Sequence, residues 1–453
     1  MYSMIMSASH KQNIAIIGSG ISGLSAAWLL SKQHNVTIFE ANDYIGGHSA
    51  TVDIDVGGKS IPVDTGFIVY NAPNYPNLTA LFQALDVTTQ DTDMSFSASI
   101  KGGAFEYAAG NDLRGLFAQK TNLFKPRFWR MLRDLFRFYK NAPDYLASED
   151  FADFTLGDLL KHDKYSEAFI KDHLGPMGAA IWSSDATEIL DYPAQSFLKF
   201  FQNHGLLERQ NKPQWRTVIG GSREYVNKIT TGFKDNIRLN TPALKIIPKA
   251  GGVDIKSSTG LESFDQVVLA CHADQALALL PENMLEQKSI LKQLPYRMNK
   301  VVLHSDTTLM PRRRKAWASW NYIARTREDD APAVSYWMNR LQHLPTDVPV
   351  IVTLNPNGPI DPDKILGEYN YSHPTFNFEA LKAKQAVWSF QGEQNIWYCG
   401  AYLGDGFHED GIQSGLAVAE LLGGTTRPWH KQNQNARIGL RDTLTSNVKI
   451  AAE

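Results

Sequence analysis

Short, nearly unbroken apolar runs punctuate the chain: Ile14-Ala15-Ile16-Ile17, Val36-Thr37-Ile38-Phe39 and Val267-Val268-Leu269-Ala270. Their length and β-branched content predict strands buried on both faces of a parallel sheet. Between the first two, Gly18-Ser19-Gly20-Ile21-Ser22-Gly23 opens a predicted helix. Strand, glycine turn, helix and second strand together describe a βαβ unit. The style resumes near Trp215, where Val218-Ile219-Gly220-Gly221-Ser222-Arg223 reads as strand end, turn and helix start. Short strands are predicted over 237–239, 243–247, 253–255 and 264–271. A last unit, from Ile396-Trp397-Tyr398-Cys399-Gly400-Ala401 to Leu421, reads as strand, glycine-rich loop and helix.

Elsewhere the pattern changes. From about 74 to 210 it is helical and aromatic, without another strand–glycine–helix repeat, and reads as an inserted cap. From 281 to 391, strand-like segments at 300–303, 317–322 and 334–338 suggest a second sheet. The predicted fold class is α/β: a Rossmann-like domain with a parallel sheet, plus an inserted α+β substrate domain. The expected boundaries are 11–75, 215–285 and 392–425 for the discontinuous nucleotide domain, and 76–214 and 286–391 for the substrate domain. The polar tail 426–453 and the lead 1–12 are expected to be loosely held.

Size and composition add bounds. At 453 residues the chain exceeds what one core supports, so two domains are the natural expectation. Its formal net charge of −2 gives no reason to expect nucleic acid. Two cysteines, Cys271 and Cys399, form no CxxC pair or disulfide framework, which suits a reducing cytoplasm. No stretch approaches the ~18 apolar residues of a membrane span. The lead lacks the basic start and apolar centre of a secretory signal. Histidines are scattered without metal-ligand spacing, so no metal is expected.

The glycine turn carries the first chemistry. Gly18 permits the tight turn, Gly20 lets backbone approach a pyrophosphate, and Gly23 lets the helix pack on the strand. The helix start turns its positive dipole end toward the phosphates. Glu40 closes the second strand 17 positions past Gly23, where a carboxylate takes ribose hydroxyls and repels a 2′-phosphate. A second glycine pair, Gly46-Gly47 with His48, and the run Asp64-Thr65-Gly66 predict further backbone close to the cofactor.

Three separated segments together resemble the FAD-dependent amine oxidase and phytoene desaturase superfamily. They are the opening fingerprint with Gly46-Gly47, the Gly220-Gly221 turn, and Gly400 through Gly406-Phe407-His408-Glu409-Asp410-Gly411-Ile412-Gln413-Ser414-Gly415. The resemblance spans nearly the whole chain and implies FAD as cofactor. It places Gly18, Ser19, Gly20, Ile21, Ser22 and Gly23 on the pyrophosphate, Glu40 and Ala41 on the ribose, and Leu244 near the adenosine half. Gly46, Gly47, His48, Asp64, Thr65, Gly66, Ala270, Gly400 and Asp405 are the remaining candidate contacts. At the flavin pyrimidine it implies backbone donors from Asp410, Gly411, Ile412 and Gln413, because two-electron reduction puts negative charge there. His48 stands where many amine oxidases have arginine. The family's paired tyrosine cage is not evident; Phe407 takes one comparable place, with Tyr402 nearby.

Lys300 aligns with a lysine that in several relatives holds a water near the flavin, with Asn299 as a competitor one residue away. His408 and Glu409, in the loop expected over the flavin, are the other catalytic candidates. More finely, Gly46-Gly47-His48, Leu303-His304-Ser305-Asp306, Trp317-Ala318-Ser319-Trp320 and Tyr402 through Gly411 resemble a branch similar to the flavin domain that precedes plant cyclopropane fatty acid synthases. That branch implies hydride transfer between flavin and an apolar, unsaturated acyl or lipid substrate, with a lipid methyltransferase as partner. Amine oxidation and non-catalytic dinucleotide binding are the alternatives. The stretch 124–140 is basic, aromatic and helical in spacing. It reads either as a helix resting on an anionic membrane at the inner face or, as amphipathicity alone favours, as a cap helix with core aromatics and solvated arginines.

Overall fold

A computed structural model describes residues 11–109, 115–182, 187–207, 212–325, 332–423, 425–432 and 434–440. The lead, up to residue 10, and the last thirteen residues lie outside the described residues.

Five parallel strands form the first sheet: β1 (Asn13–Ile17), β2 (Asn35–Phe39), β3 (Ile237–Arg238), β4 (Gln266–Leu269) and β5 (Ile396–Tyr398), in the order β3-β2-β1-β4-β5. Ile14, Ile16, Ile38, Val267 and Val268 are fully buried, as strands covered on both faces must be. Helix α1 (Ile21–Leu30) follows β1 directly, and α2 (Pro76–Ala84), α3 (Pro126–Ala147), α4 (Ala194–Asn203) and α5 (His408–Gly423) are the other helices that matter below. α1 and α5 pack almost backbone to backbone. A Cβ built on Gly415 would stand 2.2 Å from the Ser22 carbonyl oxygen, so only glycine fits there.

A second sheet has seven strands, in the order Ile365–Pro374, Tyr296–His304, Ile351–Leu354, Ala333–Trp337, Trp320–Ala324, Phe96–Ile100 and Phe105–Ala109. The last two lie inside the stretch expected to be helical. Both alternate apolar and polar residues, yet Phe96–Ile100 is buried at all five positions and Phe105–Ala109 at four, because polar side chains meet across the pair: Ser99 Oγ donates to Glu106 Oε1 at 2.8 Å. The strand expected from 317 starts at Trp320, after the short turn Arg314–Ala316. A pair and two triplets of antiparallel strands complete the fold.

The segment expected to be a loose tail is packed through residue 440. Arg427 is 4 % exposed and ion-paired with Glu420 at 2.8 Å, and Trp429 stacks on Trp28 of α1. Arg437 reaches into the base of α5 to Asp410, 2.7 Å away. Buried arginines with carboxylate partners fix a segment whose polar composition suggested freedom. Among the described residues, no helix is long and apolar enough to cross a membrane.

Candidate active site

A cavity of about 1020 Å³ runs between the two sheets, at the upper end of the roughly 300–1,000 Å³ of small-molecule sites. It starts outside the carboxyl ends of β1 and β2, where open α/β sheets hold their ligands. Gly18 turns the chain there with φ +103°, a conformation side chains resist. Gly18, Ser19, Gly20, Ile21 and Ser22 line the wall, joined by Glu40, Ala41 and Leu244. The Ser19 amide and hydroxyl both donate to Glu40 Oε2, at 2.9 and 2.6 Å, and the Asn42 amide donates to Oε1 at 2.9 Å. The carboxylate is thus fixed at the rim with lone pairs left for hydroxyl donors. Gly23 lies behind this wall, where its Cβ would stand 2.0 Å from the Gly18 carbonyl oxygen. Gly46 likewise supports from behind, its amide donating to Ser19 Oγ at 3.2 Å.

Farther along, Gly47, His48, Thr65, Gly66, Ala270, Gly400 and Asp405 line the cavity. Asp64 does not. Its carboxylate ties Ser222, Thr51 and Gln342 together, accepting the Ser222 amide at 2.9 Å, and burial pushes its pKa up to about 6. It secures the Gly220-Gly221 turn rather than touching a ligand.

At the far end the cavity wall runs from Asp405 to His408 and stops at the first residue of α5. Asp410, Gly411, Ile412 and Gln413 sit one turn deeper and are buried. The amides of Asp410 and Gly411 donate to Phe407 O, at 3.0 and 3.1 Å, and the Phe407 amide donates to Asp410 Oδ2 at 2.7 Å. Gln413 bonds Glu409 instead. None of the four expected donors, Asp410 through Gln413, lines the cavity, and of the opening residues of α5 His408 alone does. Burial pushes the Asp410 carboxyl up to about 6 against the pull of Arg437, and the ion pair holds this helix end in place.

The three catalytic candidates part company. Lys300 does not reach the cavity. Its half-exposed ammonium pairs with Glu368 on the neighbouring strand at 2.7 Å, because strand alternation turns it outward while Val301 faces the cavity. Asn299 is buried, its amide nitrogen 3.3 Å from His373 Nδ1, and it does not line the cavity either. Glu409 is fully buried and caps α2: it accepts the amides of Asn77 and Leu78 at 3.1 and 3.0 Å, and Asn77 Nδ2 at 2.8 Å. Only His408 stands on the wall. Its ring stacks on Phe67, 3.9 Å between centroids, with Nε2 2.7 Å from Tyr225 Oη. Burial pushes its pKa down to about 3, so it stays neutral.

The sequence reading missed a group of rings around His48. His48 lies 5.4 Å from His373, 5.1 Å from Tyr371 and 5.9 Å from His272, centroid to centroid, and all four line the cavity. Burial lowers all three imidazole pKa values, that of His373 to about 4, with repulsion from neighbouring imidazoles adding to it at His48 and His373. Two signals were available. His272 follows the carboxyl end of β4, and Tyr371 and His373 share one face of a strand at spacing two.

Beyond this group the cavity becomes an apolar chamber lined by Met94, Trp182, Leu206, Trp320, Leu341 and Val352, closed by Phe200 stacked on Phe407. His204, also on this wall, lies 2.9 Å from the Phe200 carbonyl oxygen through Nδ1, and burial pushes its pKa down to about 3.

The residues fit a dinucleotide with a flat ring system. Open space faces Gly20, with nothing within 4 Å of a Cβ built there. His48 Nε2 is buried without a protein partner and so is matched to a ligand acceptor or donor. Together these define a dinucleotide-cofactor protein of mixed α/β architecture, with parallel and antiparallel sheets. Residues 21–347 match the model of the flavin containing amine oxidoreductases, and the chain belongs to that family, whose cofactor is FAD. It is 25 % identical over 311 residues to amine oxidase [flavin-containing] A of Sus scrofa, covering 64 % of this chain and 55 % of that protein. With amine oxidase [flavin-containing] B of Homo sapiens the identity is 24 % over 257 residues, covering 52 % and 46 %. The chain thus spans about half the length of the curated relatives it matches. Two solved structures share the fold. Cyclohexylamine oxidase from Brevibacterium oxydans has a TM-score of 0.66 at 16 % identity, covering 91 % of this chain and 99 % of that one. The CLA-producing fatty acid isomerase from P. acnes has a TM-score of 0.64 at 14 % identity, covering 91 % and 98 %.

Proposed function

We propose that this protein is an FAD-dependent oxidoreductase acting on an apolar, unsaturated acyl substrate. When bound, FAD supplies a two-electron acceptor for hydride. Gly18–Ser22 and Glu40 would hold its nucleotide half, and His48, Thr65, Gly66 and the start of α5 its ring end. The observation that carries the substrate class is the chamber of Trp182, Trp320, Phe200, Leu206, Leu341 and Val352. Such a lining excludes water and orients a hydrocarbon chain by shape. Among the described residues, the carboxylates on the cavity wall are Glu40 at the nucleotide half, Asp274 two residues past His272, and Asp405, which Lys384 pairs at 3.5 Å; none is among the residues of the apolar chamber. A protonated amine entering the chamber would be desolvated without a counter-charge.

Among the described residues, the wall also lacks a strong base. His204, His373 and His408 are held at about 3 to 4 by burial. A reaction that leaves no proton to be stored suits it, which favours double-bond migration, with hydride leaving one carbon and returning to another, over net dehydrogenation. The fold shared with a fatty acid isomerase supports this reading, and amine oxidation by the curated relatives supports the second one, amine oxidation here. A lipid-modifying methyltransferase is the partner that an acyl substrate would suit.

The test mixes FAD-loaded protein anaerobically with polyunsaturated fatty acids, and separately with primary amines and polyamines. A shifted double bond, with a deuterium label kept within the molecule, is the expected result. Rapid flavin bleaching by an amine, with the fatty acids unchanged, would overturn the reading.

A further inference from the structure

We propose that the outer face of α3 docks the protein on an anionic lipid bilayer. The 22-residue helix, about 33 Å long, turns Phe128, Met131, Leu132, Leu135 and Phe138 into the core. The aromatics expected to share that core do not all do so. Trp129 is 49 % exposed and Phe136 40 %, and Phe124, just before the helix, is 87 % exposed. Trp129, Arg133, Phe136 and Lys140 fall at i, i+4, i+7 and i+11, one stripe on the solvent side. Large aromatics alternating with cations on an outward stripe match the membrane interface, where rings sit at headgroup depth and cations meet lipid phosphates.

The charge around the stripe is one-sided. Residues 115–140 hold seven lysines and arginines against one acid, Asp134, in a chain whose net charge is −2. Arg127 pairs with Asp172, and Arg133 and Arg137 with Asp134, which still leaves an excess of positive charge on this face. A second basic run, Arg312-Arg313-Arg314-Lys315, is brought alongside by the hairpin turn at 101–104. Arg313 donates to Gly103 O at 2.9 Å, and Lys125, at the head of α3, donates to Ala104 O at 3.1 Å. The aromatic patch is also held ready: Trp129 Nε1 donates to Leu123 O at 2.8 Å, fixing the Leu123–Phe124 turn against the helix. A bilayer carrying acidic headgroups satisfies both the cations and the exposed rings, whereas simple solvation leaves the rings in water.

The position suits the chamber. A surface hollow is lined by Phe136, Tyr139, Lys140 and Leu207, and Leu206, next in the chain, lines the chamber itself. Docking itself is independent of the substrate reading, because it is read as partition rather than turnover.

The experiment is co-sedimentation of the FAD-loaded full chain with phosphatidylcholine vesicles, with or without about 30 mol% phosphatidylglycerol. The expected result is about tenfold stronger partition onto the anionic vesicles, released by about 0.5 M NaCl. The double variant F124S/W129S and the charge reversal R130E/R133E/K140E should each lower partition at least about fivefold. Flavin content and thermal midpoint equal to the parent's identify folded variants, and the salt series on the unaltered protein serves if either fails to fold. Equal partition onto both vesicles, no partition, or variants that partition like the parent would overturn the proposal. Capture by an acidic polypeptide without vesicle binding would overturn it too.

Discussion

The two ends of the cavity are built in opposite ways. At the nucleotide end, Gly18–Ser22 and Glu40 come from one βαβ unit within the first forty residues, and each contact is set by the local turn. At the ring end, Thr65, His272, Tyr371, His373 and His408 arrive from segments hundreds of residues apart. Arg437, contributed by still another segment, pins the start of the His408 helix through Asp410. The first end is a property of a motif. The second is a property of the whole fold, and it is where relatives can diverge in chemistry while keeping the cofactor.

Breaking the first end should have the largest effect. Gly23→Val would press a side chain into the Gly18 carbonyl, and we expect purified protein to retain less than about a tenth of its FAD, measured by flavin absorbance per chain. Breaking the second end should act through stability. Arg437→Leu leaves the Asp410 carboxylate buried without its cation, which costs about 3–5 kcal/mol, read by urea unfolding, with the Gly18 turn untouched.

Two milder changes sharpen the contrast between residues that lie near the cavity and residues that face it. Glu409→Gln weakens the cap on α2 and should cost about 1–3 kcal/mol while the flavin spectrum stays unchanged. Lys300→Ala removes an exposed ion pair and should change stability by less than about 0.5 kcal/mol, with steady-state turnover equal to the parent's. A tenfold loss of turnover in Lys300→Ala would return that residue to the active site.

The same contrast explains what the sequence could tell. The β1 turn, Glu40 and the parallel strands were legible because neighbours in sequence make the structure there. The strands Phe96–Ile100 and Phe105–Ala109 do alternate apolar and polar residues, Phe-Ser-Ala-Ser-Ile and Phe-Glu-Tyr-Ala, but the five-residue signal is lost within a long aromatic stretch that reads as helical. Asp410 through Gln413 do not line the cavity, which reaches α5 at His408, and sequence alone does not show which residue of a helix breaks the surface. Glu409 looked catalytic because its loop was correctly sensed, whereas its partner, α2, lies more than three hundred residues away in the chain. The imidazoles of His272 and His373 looked scattered for the same reason: only the fold brings them beside His48.

The parallel sheet has a consequence for how the molecule is born. Its fifth strand, Ile396–Tyr398, pairs with Gln266–Leu269, which pairs with the strand preceding the glycine turn. A ribosome that has made the turn must therefore translate nearly four hundred further residues before the sheet can complete, and about forty more before Arg437 can lock the helix behind it. Completion of this sheet is consequently late in synthesis, and a nascent chain must be kept from misassociating while its earliest strands wait for their last neighbour.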